Sequence, residues 1–461
     1  MNWTRRSFLT SAAAAPLLAS APHGDKASTP ARPNFVLIVA EDLAAWMTGC
    51  YGNLEIKTPH IDRLASAGVR FINHFACTPA SSASLATLLT GRIPRQHGIA
   101  DYLTSTPRKN PERGQSAPPA SFANEVLLSD LLATAGYRGS FVGRWNLGND
   151  EHPGHGFSET VTLPAGDYPA VDPALSVNGQ QTQENGLTPE VLTRHAASLI
   201  ERQEGPFLLV VSYPAISGEG LPAKYLDLYK AASFNTFGIQ PASPTALDGK
   251  EKMADPVASI RKAAAAVSLL DDQVGAVERA IIKKGIFENT VVVFTSLAGQ
   301  FLGRRGLWGS AYASNPPNLF EESVHTPLLL SWPGRIPTGM SRPEMVSAVD
   351  LVPTVCEIAG VPLPAGRNLC GRSYLTVAAG KPLPNRKVWN DLVLGELRGA
   401  EMARDNRFKV VLRGEGQGPD ELYDLRKDPN ERVNQYENQG FADVRTRLED
   451  ELRAWHEKYP G

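Results

Sequence analysis

Several stretches of this chain are continuously apolar where a one-sided strand would alternate: Asn34 to Ala40, Pro206 to Ser212, the run from Thr290 to Phe294, and Pro327 to Ser331. Runs of this length read as strands buried on both faces, and such strands need helices packed above and below them. Helical patterns lie between them. Pro59 to Gly68 has Pro near its start, Ile61, Leu64 and Ala65 at helical spacing, and Gly at its end. Ser82 to Leu89, Phe122 to Ala135 and Val352 to Ala359 read as further helices, and Ser140 to Val142 as a strand. Ser259 to Lys284 is a long helix with Ala263, Val267, Leu270, Val274 and Val277 on one face. Strands alternating with helices predict an α/β fold around a mostly parallel sheet.

From about Val388 the pattern changes. Glu401 to Ala403 and Phe408 to Leu412 read as antiparallel strands joined by a turn at Asp405-Asn406, followed by an amphipathic helix from Asp443 to Lys458. The expected organisation is therefore residues 1–31 as a targeting segment and linker, 32–385 as the α/β domain, and 386–461 as a small α+β subdomain. Residues 104–120 and 161–190, rich in Pro, Gly, Ser and Gln, read as loops or insertions.

The first residues carry Thr4-Arg5-Arg6-Ser7-Phe8-Leu9, a twin-arginine pattern, then an Ala-rich apolar stretch from Ser11 to Ala21. This predicts export to the periplasm or beyond, by a route that carries folded proteins. No later apolar run approaches the ~20 residues that span a bilayer. The net charge of -2 gives no reason to expect nucleic acid or an anionic membrane surface as a partner. Cys50, Cys77, Cys356 and Cys370 allow three full pairings and make no disulfide framework.

The chain resembles the type I sulfatases of the alkaline phosphatase superfamily over roughly residues 32–461. Asn34 to Leu43 resembles that family's opening strand, whose end carries an acidic pair. Gly49-Cys50-Tyr51-Gly52, Thr58-Pro59-His60-Ile61-Asp62-Arg63-Leu64 and Leu88-Leu89-Thr90-Gly91-Arg92 fit its pattern. So do Leu269-Leu270-Asp271-Asp272, Val349-Asp350-Leu351-Val352-Pro353-Thr354 and Glu421-Leu422-Tyr423-Asp424 with Asp428-Pro429-Asn430-Glu431. The resemblance implies a mixed, mostly parallel sheet flanked by helices, with an antiparallel sheet and terminal helix at the C-terminus. It also implies hydrolysis of sulfate esters. A formylglycine made from Cys or Ser would be the nucleophile, a calcium ion held by acids would clamp the sulfate, and Lys and His would neutralise and protonate.

Mapped residue by residue, that set is depleted. The nucleophile position falls on Ser81, in Ser81-Ser82-Ala83-Ser84-Leu85, where Leu85 stands in place of the motif's Arg. The plain alternative is a Ser that merely starts a helix. Cys77-Thr78-Pro79-Ala80-Ser81 mimics the cysteine form of the motif one helical turn too early. Glu41 and Asp42 keep the first pair of metal ligands, but the second pair is replaced by Leu297 and Ala298, which cannot bind a hard cation. Arg144 and Asn146 stand where the family has Lys and His. The loop after Tyr213-Pro214 lacks its His, and Ser310 replaces another Lys, for which Arg304 or Arg305 is a nearby cation. His74, His97 and His325 lie near matched motifs but at none of their functional positions, and read as structural.

The leading expectation is a sulfatase-like protein with little or no catalysis. It would bind a sulfated carbohydrate, a small sulfate ester or a partner, and its site would have an apolar floor at Leu297 and Ala298 facing Glu41, Asp42 and Ser81. The alternative is an exported hydrolase of sulfate, phosphate or phosphonate esters that uses Ser81 or its formylglycine. A phosphotransfer relative using unmodified Ser is a third reading, which the missing metal ligands weaken further.

Overall fold

The computed structural model describes residues 32–103, 119–164, 166, 168–215, 218–247, 249–383, 389 and 391–461. The twin-arginine segment, most of the 104–120 loop and the expected boundary at 385/386 lie outside the described residues. The main sheet comprises β1 (Asn34–Ala40), β2 (Val69–Phe75), β3 (Arg138–Gly143), β4 (Phe157–Thr162), β5 (Ala174–Val177), β6 (Gln180–Gln183), β7 (Phe207–Ser212), β8 (Thr290–Ser296), β9 (Leu328–Ser331) and β10 (Met340–Ser347), in the order β10-β2-β9-β8-β1-β7-β3-β4-β5-β6. Its centre, β8-β1-β7-β3-β4, is parallel, and β9, β5 and β6 run antiparallel to their neighbours.

The apolar runs are buried on both faces, as their composition requires. Along β1, Phe35, Leu37 and Val39 enter one hydrophobic cluster while Val36, Ile38 and Ala40 enter another, and β7 and β8 divide their residues the same way. The first cluster holds the helices Ser81–Thr90 and Leu351–Ala359, and the second holds Thr188–Arg202 and the long helix Pro256–Lys284. No helix of the described residues is long and apolar enough to cross a membrane. The four cysteines are unbridged.

Three segments differ from the sequence expectation. The helix expected over Phe122 to Ala135 is a short 3-10 turn, Ala120–Asn124, and a separate helix, Leu128–Ala133. The Asp130 carboxylate accepts the Leu127 N–H (2.9 Å), which starts the second helix afresh, while Glu125 turns away to pair with Arg92 and Arg367. The 161–190 stretch is not an irregular insertion: it holds the β5–β6 hairpin and the start of a helix. Asn178 and Gly179 both have positive φ (50° and 85°), so the hairpin signal was the Asn-Gly pair within a polar composition. The edge strand β10 was also missed, because Pro343 interrupts it at a register shift.

The C-terminal region forms a second sheet, β11 (Leu392–Leu397), β12 (Ala400–Asp405), β13 (Phe408–Leu412) and β14 (Glu421–Asp424), all antiparallel. Asp405 Oδ1 accepts the N–H groups of Arg407 and Phe408, which closes the expected turn. Leu448 and Leu452 of the terminal helix Ala442–Lys458 pack on Ala403, Val410 and Leu422. This sheet docks through Val393, Leu397, Ala400, Met402 and Val411, which join the first hydrophobic cluster, and through buried charge. Lys409 is fully buried, with Nζ 2.7 Å from Glu431 and 3.2 Å from Glu321.

Candidate functional site

Parallel pairing of β8, β1, β7 and β3 brings their carboxyl ends to one edge of the sheet, where open α/β sheets place ligands. Register then decides which side chains meet there. Ala40 pairs with Ser296, Val39 with Ser212, and Ser212 with Gly143. The ladder runs one step further through Leu297 N to Ala40 O (2.9 Å), Tyr213 N to Val39 O (2.8 Å) and Arg144 N to Ser212 O (3.0 Å). Tyr213 and Arg144 therefore stand level with Ala40, and Leu297 stands level with Glu41 one step further on. Asp42 and Asn146, just beyond, both hold positive φ (57° and 48°), a conformation that costs about 1 kcal/mol or more for such residues.

Arg144 reaches across the end of β7, two strand spacings or roughly 10 Å, to the carboxylate of Glu41. Its Nη1 lies 3.0 Å from both Glu41 oxygens, and the Ala215 N–H donates to the second oxygen at 3.1 Å. The pair is well buried, with side-chain exposures of 18% and 6%. Burial works against the Arg144 charge, but the Glu41 carboxylate outweighs it and holds the guanidinium protonated. The Tyr168 ring covers Arg144 at 5.4 Å. Burial and then the Glu41 charge raise the Asp42 carboxyl to about 7, with Arg144 offsetting part of the rise.

Ser81 opens the helix Ser81–Thr90 and is partly exposed; its hydroxyl bonds to no described residue. Its neighbour Ser82 is buried at 1% exposure, and its Oγ accepts from Asn146 Nδ2 (2.6 Å) and Leu103 N (2.8 Å). Ser84 Oγ donates to Leu297 O (2.7 Å). The helix is thus tied both to Asn146 and to the end of β8, and the sequence reading missed the Ser82 link. Leu85, in place of the motif's Arg, is core.

A cavity of about 240 Å³ lies over Glu41 and Asp42, bounded among others by Lys252, Lys262, Gln300 and Trp308. A second, of about 420 Å³, opens beside Arg144 and Tyr168 and shares Pro214 and Glu219 with the first. Neither is lined by Leu297 or Ala298, which are 4% and 0% exposed. The expected apolar floor facing the site is therefore corrected: these residues belong to the packed interior beneath it. The suggested replacement cations are also committed elsewhere. Arg304 lies over the Trp46 ring at 3.8 Å, and Arg305 pairs with Glu322 and Glu431, each at 2.8 Å. His74, His97 and His325 bond to Thr326, Thr87 and the Ile72 carbonyl, consistent with structural roles.

The sulfatase family profile matches residues 33–361, and the profile for the C-terminal part of N-sulphoglucosamine sulphohydrolase matches 317–458. This chain belongs to the sulfatase family. Over 415 residues the chain is 29% identical to the steryl-sulfatase of Mus musculus, covering 76% of this chain and 66% of that one, about two thirds of the relative's length. It is 27% identical to human arylsulfatase A over 467 residues, covering 87% and 83%. Among solved structures, BT4656 in complex with its substrate D-glucosamine-2-N,6-O-disulfate superposes with a TM-score of 0.78 at 21% identity, covering 93% and 98%. The phosphonate monoester hydrolase of Agrobacterium radiobacter gives 0.69 at 22% identity, covering 92% and 96%. Both structures share the fold.

The residues at the sheet edge of this chain do not fit the calcium ion that the family implies. Calcium takes about six to eight oxygens. Both Glu41 oxygens face the Arg144 guanidinium, Leu297 and Ala298 offer no side-chain oxygen, and the Asp42 carbonyl accepts the Gln300 amide N–H (2.7 Å). A guanidinium and a divalent cation cannot both sit on one carboxylate without strong like-charge repulsion.

Proposed function

We propose that this sulfatase-family protein binds sulfated carbohydrate after export and does not hydrolyse it by the metal and formylglycine route. The Glu41–Arg144 pair carries the reading. In it, the surviving metal-ligand position and the surviving sulfate-binding position neutralise each other, so neither charge is left for its ancestral task. The replacement of Leu85, Asn146, Leu297 and Ala298 supports the same reading, because nucleophile maturation, proton transfer and metal binding are all lost together. The test is turnover of aryl and carbohydrate sulfate esters with calcium present. Product release above background that disappears in Ser81→Ala would sink it.

One observation favours the alternative of an active ester hydrolase. The Ser81 hydroxyl is partly exposed, bonds to no described residue, and sits in the first turn of a ten-residue helix, a position that favours an anion. Mass spectrometry of the peptide containing Ser81 separates the two: formylglycine has two hydrogens fewer than serine, and finding it would favour the hydrolase.

A further inference from the structure

We infer that His60, Asp271 and Asp272 form a binding site for a divalent transition ion of the zinc class, in the seam between the helices Pro59–Ser66 and Pro256–Lys284. One ligand atom from each of the three residues lies within 4.8 Å of the others. His60 stands in the first turn of the shorter helix, and the two aspartates stand midway along the longer one. The site lies apart from the sheet-edge centre, since none of the three lines the cavity over Glu41 and Asp42 or the one beside Arg144.

Each ligand is oriented by contacts outside the cluster, as metal ligands are. Asp271 is buried at 1% exposure, and its Oδ1 accepts the N–H groups of His60 (3.0 Å) and Ile61 (2.8 Å). Its Oδ2 shares only the His60 N–H, at 3.1 Å, and keeps a lone pair for an ion. Asp272 Oδ2 accepts the Tyr225 hydroxyl at 2.7 Å, which leaves Oδ1 to face His60. The imidazole packs on Gly275, where a Cβ would come within 2.5 Å of its Cγ and Nδ1. The ring itself has no hydrogen bond among the described residues. Nε2 stops 3.7 Å from Asp272 Oδ1, beyond hydrogen-bond length, and Nδ1 is buried without a partner. Two ligands about 2.1 Å from a tetrahedral zinc lie roughly 3.4 Å apart, so a side-chain shift of a few tenths of an ångström seats the ion between them.

A nitrogen ligand beside two carboxylates favours a borderline ion over calcium or magnesium, which take oxygen. Asp62, Glu190 and Glu278 stand nearby, against Arg63 and Arg279, so carboxylate charge prevails. Arg63 is itself paired with Glu278. Burial, then Arg63 and Arg279, lowers the His60 pKa and keeps the imidazole neutral, the form that binds metal. Burial raises the Asp271 carboxyl to about 7, and a bound cation opposes that rise.

Zinc titration of the demetallated full protein against a chelating dye, with calcium and magnesium in excess, tests the inference. The expected result is one bound equivalent that raises the melting temperature. His60→Gln and Asp272→Asn should each weaken zinc about tenfold or more and abolish that rise. Asp272→Asn keeps an acceptor for Tyr225, so its fold should hold. The Glu41→Gln/Arg144→Met variant should bind zinc as the wild type does. No zinc binding by the wild type, undiminished binding by both single variants, or loss of binding in the sheet-edge variant instead overturns the inference.

Discussion

Replacing Arg144 by Met tests whether its guanidinium has taken over the cation's place. The substitution keeps the apolar stem beside Tyr168 and removes the charge from Glu41. Glu41 then keeps one strong donor, the Ala215 N–H at 3.1 Å, while its side chain stays 6% exposed and Asp42 lies next to it. Breaking a buried ion pair by removing one partner costs about 3–5 kcal/mol, and the retained amide bond places the expected loss near ~3 kcal/mol. A divalent cation should now recover part of it, since the freed Glu41 carboxylate stands beside the Asp42 carboxyl. With a dissociation constant on the order of 1 mM, as weak oxygen sites show, 10 mM calcium contributes about 1.4 kcal/mol. Urea unfolding in EDTA and in calcium reads both effects, with wild type indifferent to the ion. The Glu41→Gln/Arg144→Met double variant removes both charges and should lie within about 1 kcal/mol of wild type, blind to calcium. If the single variant is as stable as wild type in EDTA and calcium changes nothing, Arg144 is no surrogate. Tight calcium binding by the wild type would refute the reasoning from the other side.

Three further outcomes follow from the geometry. Burial lowers His74 and His97 to about 3, and His97 is held neutral by accepting the Ile99 N–H on Nδ1 while Nε2 faces Thr87. Both folded pKa values lie below the unfolded ~6.5, so stability is full above that and falls as pH drops towards 3; at pH 5 each His costs roughly 2 kcal/mol, measurable by urea unfolding at pH 7.5 and 5.0 against His97→Gln. Lys409→Met should destabilise by about 3–5 kcal/mol, because it strips a fully buried ammonium from Glu321 and Glu431; calorimetric unfolding reads it. Ser82→Ala leaves the Asn146 amide and the Leu103 N–H without their acceptor and should cost about 2–3 kcal/mol, whereas the neighbouring Ser81→Ala should change stability by less than about 0.5 kcal/mol.

Much of the fold was legible because burial on both faces of a strand leaves a continuous apolar run that local reading detects. β1, β7 and β8 were located within a residue or two for that reason, and the long helix at Pro256–Lys284 by its apolar face. The hairpin β5–β6 and edge strand β10 escaped because β5 is only four residues long, β6 is polar and largely exposed, and β10 is polar and exposed over its first half with Pro343 within it, so only Asn178-Gly179 or a backbone ladder betrays them.

The sequence alone determined which side chains stand at the positions the family uses. Leu85, Asn146, Leu297 and Ala298 cannot do what the family's residues do, wherever they lie, because a side chain's donors and charge are set by its covalent structure. Only the tertiary structure decided what the remaining groups do instead. Glu41 and Arg144 are 103 positions apart, and their pairing exists because β7 inserts between β1 and β3 in a register that brings their ends within one residue of each other. The same register puts Leu297 and Ala298 under the cleft, not on its floor. Ser82 lies against Asn146 because the helix phase turns Ser82 inward and leaves Ser81 towards solvent. Long-range pairing of this kind depends on strand order and register, which no local pattern of residues encodes.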